Sequence, residues 1–233
     1  MSYFQYHEEI LDHFPNIVGG VLVGINMQNQ VTPEHLWDIY QEEQQKTLIR
    51  IGDTALSELE PLKAWRAAFR TFGVNPTKYR SATESLLRRL TKKGDIPSIN
   101  AIVDICNMVS IRYALPVAAF DTQRLKLPIT VRSANGNEHF TPLFAKESKQ
   151  PDTGEVIFID EANLVVARRW CWRQSDESAT HLKTKEAIFT IEAHHDGSHS
   201  VIVQALDDLQ HYLRSYVGGE FKTAILNSDS PSW

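Results

Sequence analysis

Cysteine is scarce: this chain of 233 residues has two, Cys106 and Cys171. Two thiols exclude a multi-bridge disulfide framework and fit a reducing compartment, so the expected location is the cytoplasm. Also missing is any run approaching the roughly 20 apolar residues that a membrane span needs. The opening stretch, MSYFQYHEEILDHFP, has carboxylates and histidines where a secretory signal needs a basic start and an apolar run. Membrane partners are therefore not expected. There is no phosphate-cradling Walker loop, no dinucleotide glycine fingerprint and no nucleophile-elbow serine. No cofactor is expected. With no internal repeat or low-complexity linker, the expectation is one unit over residues 1–233, with an N-terminal extension to about residue 56 and a core over about 57–219.

What is present begins with charge. The net charge is −5, which argues against a polyanionic partner, DNA included, but its distribution argues otherwise for one segment. Between Lys63 and Lys93 lie nine basic residues and a single acid, Glu84. A local basic surface on an acidic protein steers a phosphate backbone while limiting non-specific binding elsewhere. Lys78, Arg80, Arg88, Arg89, Lys92 and Lys93 are the candidates; two solvated helix faces are the competing reading.

The periodicity predicts helices first and strands later, an α+β order. IVGGVLVGIN (17–26) reads as a buried strand whose glycines mark bends or close backbone approach. Thr32-Pro33 predicts a capped helix to Ile49. A second helix is predicted over 57–72, burying Leu62, Trp65, Phe69 and Phe72. Ser81 and Glu84 form a capping box that opens a helix with Leu86, Leu87 and Leu90 inward, stopped by Gly94. Ser98 is the predicted cap of the next helix. Strands follow at 129–132, 140–143, 156–159, 164–172 and 187–192, then a helix over 200–217. The tail ILNSDSPSW reads as frayed.

Three constellations are candidates for chemistry. Asn100, Asp104, Asn107 and Ser110 recur at steps of three or four and share one helix face with a single charge, so they read as a pocket-lining stripe or as the wet side of an amphipathic helix. RRWCWRQSD (168–176) packs three arginines and two tryptophans into six positions. As a strand it points Arg169, Cys171 and Arg173 one way and Arg168, Trp170 and Trp172 the other; arginine beside tryptophan suits grip on a phosphate and stacking on a base. Otherwise it is a core tryptophan pair with solvated arginines. His194, His195 and His199 with Asp196 have metal-ligand residue types but no zinc-site spacing, so no metal is expected. Cys106 reads as a nucleophile or, more simply, as a small core residue.

Three stretches carry a resemblance. SINAIVDICNMVSIRYALPVAAFD (98–121) is similar to the editing-domain segment of the phenylalanyl-tRNA synthetase beta subunit, of the type INAIVDVTNYV…GQPxHAFD. RAAFRTFGVNPTKYRSATESLLRRL (66–90) and RRWCWRQSD resemble free-standing B3/B4 tRNA-binding domain proteins more closely. The similarity covers roughly residues 60–217. It implies a B3/B4-like fold and hydrolysis of the ester of a wrongly attached amino acid on tRNA, with an aminoacylated 3′ end as partner. It makes Asn107 the counterpart of a pocket asparagine and Cys106 that of the neighbouring threonine. The sequence departs from the synthetase pattern at Ala118, where a histidine is expected, and around Trp172-Arg173-Gln174-Ser175, which replace a GGEHSG segment.

From these come the expected roles. Asn107, Gln174 and Asp176 would position water and carbonyl. Asn100, Asp104, Cys106, Ser110, Arg169, Trp170, Trp172, Arg173 and Ser175 would hold the acylated terminus, and the basic residues named above the tRNA backbone. The rival is a module that binds tRNA or an amino acid without chemistry; a metal-dependent hydrolase on the histidines is a third reading.

Overall fold

The computed structural model describes residues 2–233. One sheet runs in the order β1 (Phe4–Tyr6), β4 (Ile129–Ser133), β5 (Val156–Ile159), β6 (Val165–Arg168) and β7 (Arg173–Gln174), with β1 parallel to β4 and the rest antiparallel. The other is antiparallel throughout, in the order β3 (Val117–Asp121), β8 (Ala187–Ala193), β2 (Val18–Ile25), β9 (Glu220–Leu226). Six helices accompany them: α1 (Glu8–His13), α2 (Glu34–Ile51), α3 (Glu60–Thr71), α4 (Ala82–Lys93), α5 (Ala101–Tyr113) and α6 (Ser198–Tyr216). The fold is α+β.

β8 explains the layering. All seven of its residues are buried, so both faces of the strand are covered. Side chains alternate across a strand. Phe189 and Ile191 face α5 and α6, packing with Ile102, Ile105, Leu206 and Leu209. Ile188 faces the other sheet with Phe120, Val131, Phe158 and Val166. Thr190 and Glu192 share the parity of Ile188, so two polar groups enter the space between the sheets. The glycines of β2 permit close approach, as the sequence suggests. Gly19 lies opposite Glu192, and a Cβ there would collide with the hydroxyl of Tyr6, which lies across it.

The elements depart from expectation in identifiable places. Pro33, not Thr32, stands at the N-cap of α2, because the Thr32 hydroxyl is drawn to Asp104. α5 is capped by Asn100 rather than Ser98. Residues 140–143 form no strand; Phe140 and Pro142 make only isolated bridges to Lys149 and Ser175. The strand predicted over 164–172 ends at Arg168, where the chain turns back. The tail is not frayed: β9 pairs with β2, and the Trp233 backbone exchanges hydrogen bonds with Phe4. As an edge strand, half-exposed, β9 lacks the apolar alternation that would announce it. Residues 2–56 supply β1 and β2, the latter in the interior of its sheet.

Candidate functional site

A cavity of about 200 Å³ opens between the two sheets and α5. α5 contributes Val103, Cys106 and Asn107, spaced to share a helix face. β3 contributes a wall of small residues that includes Ala118 and Ala119, and β8 contributes Thr190 and Glu192. The β6–β7 hairpin adds Trp170, Cys171, Trp172, Arg173 and Gln174. The two segments singled out in the sequence thus line one space.

Only part of each reaches it. On α5, Asn100 accepts from the Val103 amide at 3.1 Å and from Asn29 Nδ2 at 3.0 Å, closing the helix N-terminus. Asp104 is fully buried and accepts from Thr32 Oγ1 at 2.6 Å, the Ile99 amide at 2.9 Å and the Ser98 hydroxyl. Ser110 donates to the Leu115 carbonyl at 2.6 Å. None of these three lines the cavity, so their expected substrate role is corrected: buried polar groups found partners within the protein.

The nonapeptide is a hairpin, with Arg168 ending β6 and Arg173–Gln174 forming β7, and not one continuous strand. Arg168 pairs across the hairpin with Arg173, and the loop between them reverses through Arg169 and Trp170, whose φ values are 44° and 61°. Left-handed backbone at two successive non-glycine residues costs roughly 1–2 kcal/mol each and persists where side chains over-determine it. Here they do. Arg169 is buried, bonded to Asp152 at 2.7 Å and stacked 4.0 Å from the Tyr79 centroid, so it is not available to phosphate. Trp170 is fully buried among Phe14, Trp65 and His194, and its indole N–H reaches both Glu192 oxygens at 3.1 Å. It lines the cavity but cannot stack on a base from solvent. Beyond the turn, Trp172 is half-buried and Arg173 exposed, the guanidinium 4.8 Å from the indole centroid. Gln174 spends both amide hydrogens on the Ala119 and Ser178 carbonyls, at 2.8 and 2.7 Å, which leaves its carbonyl oxygen as acceptor. Ser175 is buried against Ser178, outside the lining. Asp176 also lies outside it, accepting from the Phe144 amide at 3.3 Å and facing Arg124 at 3.9 Å. The structure therefore does not bring it together with Asn107 and Gln174 in the cavity lining.

Electrostatics separates the remaining groups. Burial pushes both thiols up, Cys106 further raised by Asp104 and Cys171 by Glu192, so neither is a ready thiolate. Burial lifts the Glu192 carboxyl to about 7, opposed by hydrogen bonds from Tyr6 and Trp170. Sequence reasoning missed Glu192. The signal was its phase: the one charged residue of a mostly apolar strand, on the inward parity of Ile188. The imidazole of His194 sits edge-on between Trp65 and Trp170, at 4.5 and 4.9 Å, and burial lowers it to about 3, helped by His195. Among the described residues no group of three or more His, Cys, Asp or Glu is placed to hold a metal.

Of the six basic candidates, Arg80, Arg88 and Lys92 line a second groove, together with Arg66 and the carboxylates of Asp53 and Glu84; Lys78, Arg89 and Lys93 lie outside its lining. Lys78, Arg88, Lys92 and Lys93 are exposed; Arg89 is exposed and 3.4 Å from Asp95. Arg80 is half-buried, held 3.7 Å from Glu84, which Arg66 also meets at 2.7 Å. Glu84 therefore anchors Arg66 and Arg80 through its carboxylate, while its amide donates to the capping Ser81 hydroxyl. α4 begins at the cavity: Ala82 lines it and donates its amide to the Cys171 carbonyl at 2.8 Å.

The model of the B3/4 domain matches residues 64–213, which contain α4, α5, the hairpin and β8. The chain belongs to the B3/4 domain family. It is 34% identical over 94 residues to the phenylalanine–tRNA ligase beta subunit of Shewanella oneidensis, covering 40% of this chain and 12% of that one. It is 35% identical over 86 residues to that of Photorhabdus laumondii (37% and 11%), and 30% identical over 139 residues to that of a Synechococcus strain (52% and 16%). The chain thus spans a small fraction of the length of the curated relatives it matches. An N-terminal fragment of the phenylalanyl-tRNA synthetase beta-subunit from Pyrococcus horikoshii aligns at a TM-score of 0.48 and 15% identity, covering 94% of this chain and 50% of that one. In this B3/4 domain, Ala118 presents only a methyl group to the cavity.

Proposed function

We propose that the protein is a cytoplasmic tRNA-binding protein whose cavity admits the aminoacyl end of a mischarged tRNA and hydrolyses its ester, without metal or cofactor. One observation carries this reading: Asn107 of α5 and Trp172–Gln174 of the hairpin line the same open cavity. Trp172 and Arg173 offer a terminal adenosine a flat ring and a cation. The Asn107 amide supplies a donor toward the ester carbonyl. The carbonyl oxygen of Gln174, fixed by two hydrogen bonds, is an acceptor that orients water. An aminoacyl ester is already reactive, so positioning and a donor suffice without a triad. The exposed cations of α4 follow the RNA backbone.

The relatives named as tRNA ligase subunits support the tRNA context. The test is deacylation of a panel of mischarged tRNAs with the parent protein and Asn107→Ala. At least one ester should be cleaved well above its spontaneous rate and spared by the variant. Bound tRNA with no ester cleaved would end the enzyme reading. It would leave a non-catalytic tRNA- or amino-acid-binding module, the reading favoured by the methyl group of Ala118 in the cavity wall.

A further inference from the structure

Five glutamates are buried: Glu43, Glu84, Glu138, Glu155 and Glu192. Four of them meet an arginine, Glu43 with Arg112 at 2.8 Å, Glu84 with Arg66 at 2.7 Å, Glu138 with Arg132 at 2.7 Å and Glu155 with Arg168 at 2.6 Å. Glu192 has no cation within ion-pair distance among the described residues. Its donors are neutral, the Tyr6 hydroxyl at 2.7 Å and the Trp170 indole at 3.1 Å. Of the five, Glu192 alone lines the cavity between the sheets. A buried carboxylate without a counter-charge is costly, and the fold elsewhere meets that cost with a guanidinium.

We infer that Glu192 is the receptor for a primary ammonium group on the molecule that enters this cavity. The occupant supplies the cation that the protein omits. Phe120, Phe158 and Ala119 make the surroundings apolar, which strengthens such a pair. The exposed Arg173 places positive charge at the solvent side, so the cavity is anionic within and cationic outside. An aminoacyl group carries an ammonium on its α-carbon, and a lysine-type side chain carries another. The inference rests on the deacylase reading only for what kind of molecule bears the amine.

Binding is coupled to a proton. The groups facing the Glu192 carboxyl are Tyr6 from β1 and Trp170 and the Cys171 thiol from the turn; Trp65 of α3 donates to its main-chain carbonyl, and His194, just beyond β8, packs edge-on against Trp170. None of these is a cation near neutrality. The carboxyl, lifted to about 7 by burial, must shed its proton to receive an ammonium, so affinity rises with pH up to that value.

Calorimetry on the full chain tests this with L-leucine amide, Nα-acetyl-L-lysine amide and Nα-acetyl-L-norleucine amide, which carry an α-ammonium, a side-chain ammonium and neither. At about pH 7.5 an ammonium-bearing probe should bind about tenfold or more tighter than the neutral one, and lose that advantage at about pH 5.5. Glu192→Gln should abolish it. Which ammonium probe binds identifies the amine concerned. Equal binding of the neutral probe, an advantage that survives in Glu192→Gln or ignores pH, or no binding by any probe would overturn the inference. Should the variant fail to fold, the pH arm on the parent protein decides. The probes carry neither ester nor RNA, so ester cleavage without amine preference sinks this inference alone. Glu192-dependent amine binding without ester cleavage sinks the enzyme reading alone.

Discussion

Arg168 and Arg173 are cross-strand partners on one hairpin, yet they do opposite things. Arg168 is buried and gripped by Glu155 through two parallel hydrogen bonds, at 2.6 and 2.8 Å, with Arg169 tied to Asp152 beside it. Arg173 is exposed, lies over Trp172 and lines the cavity. The residue type is the same; the acid opposite differs. The turn before β5 places Asp152 and Glu155 under the first pair of arginines, while the cavity offers Arg173 no carboxylate within ion-pair distance among the described residues. A run of arginines therefore divides into a clamp that holds a strained turn and a contact left for a ligand.

Breaking the clamp should give the largest effect. Arg168→Ala leaves Glu155 buried with Arg169 at 3.4 Å as its remaining cation and the Asp152 amide at 3.3 Å, and should cost about 3–5 kcal/mol in denaturant unfolding. Arg173→Ala should stay within about 0.5 kcal/mol while weakening tRNA binding. Similar unfolding midpoints for the two variants would erase the distinction.

The same division runs along α5. Asp104→Ala strips the partner from Thr32, Ser98 and the Ile99 amide, and should cost about 2–3 kcal/mol. Asn107→Ala should cost less than about 1 kcal/mol in stability and about 100-fold in deacylation rate, the scale of one lost oxyanion donor. If Asp104→Ala, once folded, loses as much activity as Asn107→Ala, the helix does not separate into scaffold and site.

What could be read in advance follows the same physics. Ser81 does cap α4, its hydroxyl accepting from the Glu84 amide at 3.2 Å, and Ile202, Leu206, Leu209 and Leu213 are the buried stripe of α6, because caps and periodicity are local signals. Asn107 was legible as one of four residues on a face. Sorting it from Asn100, Asp104 and Ser110 needed partners up to 72 residues away in sequence, which no local pattern reports. The turn at Arg169–Trp170 was misread because it reverses without glycine or asparagine, held instead by ion pairs and a buried indole. Glu192 was passed over for a similar reason. Its meaning comes from an arginine that is not there.

A smaller effect sharpens the contrast on the RNA side. Replacing Lys92 and Lys93 together by Glu should lower the slope of log affinity against log salt by about 2, if both neutralise phosphates. Filter binding of tRNA across a salt series measures it. An unchanged slope would mean that this end of α4 is a solvated face and that the groove bounded by Arg66, Arg80 and Arg88 acts without it.

The subtlest effect concerns Glu192 and His194, two residues apart and perturbed in opposite directions. Folding lifts the Glu192 carboxyl from its ordinary 4.5 to about 7, so the native state holds a proton that the unfolded chain has lost. Its contribution is full below the unfolded value and is lost as pH rises through 7. Folding lowers the His194 imidazole from 6.5 to about 3, so here the unfolded chain holds the extra proton. That contribution is full above the unfolded value and is lost as pH falls toward 3. Where the windows overlap, between 4.5 and 6.5, the two slopes oppose each other and largely cancel. Glu192→Gln removes the falling slope, so its Tm relative to the parent should climb with pH across that range. His194→Asn removes the rising slope, so its relative Tm should fall. Thermal unfolding at half-unit steps of pH measures both, and a variant-to-parent difference that stays constant across the range would show that neither group is titrating as its burial requires.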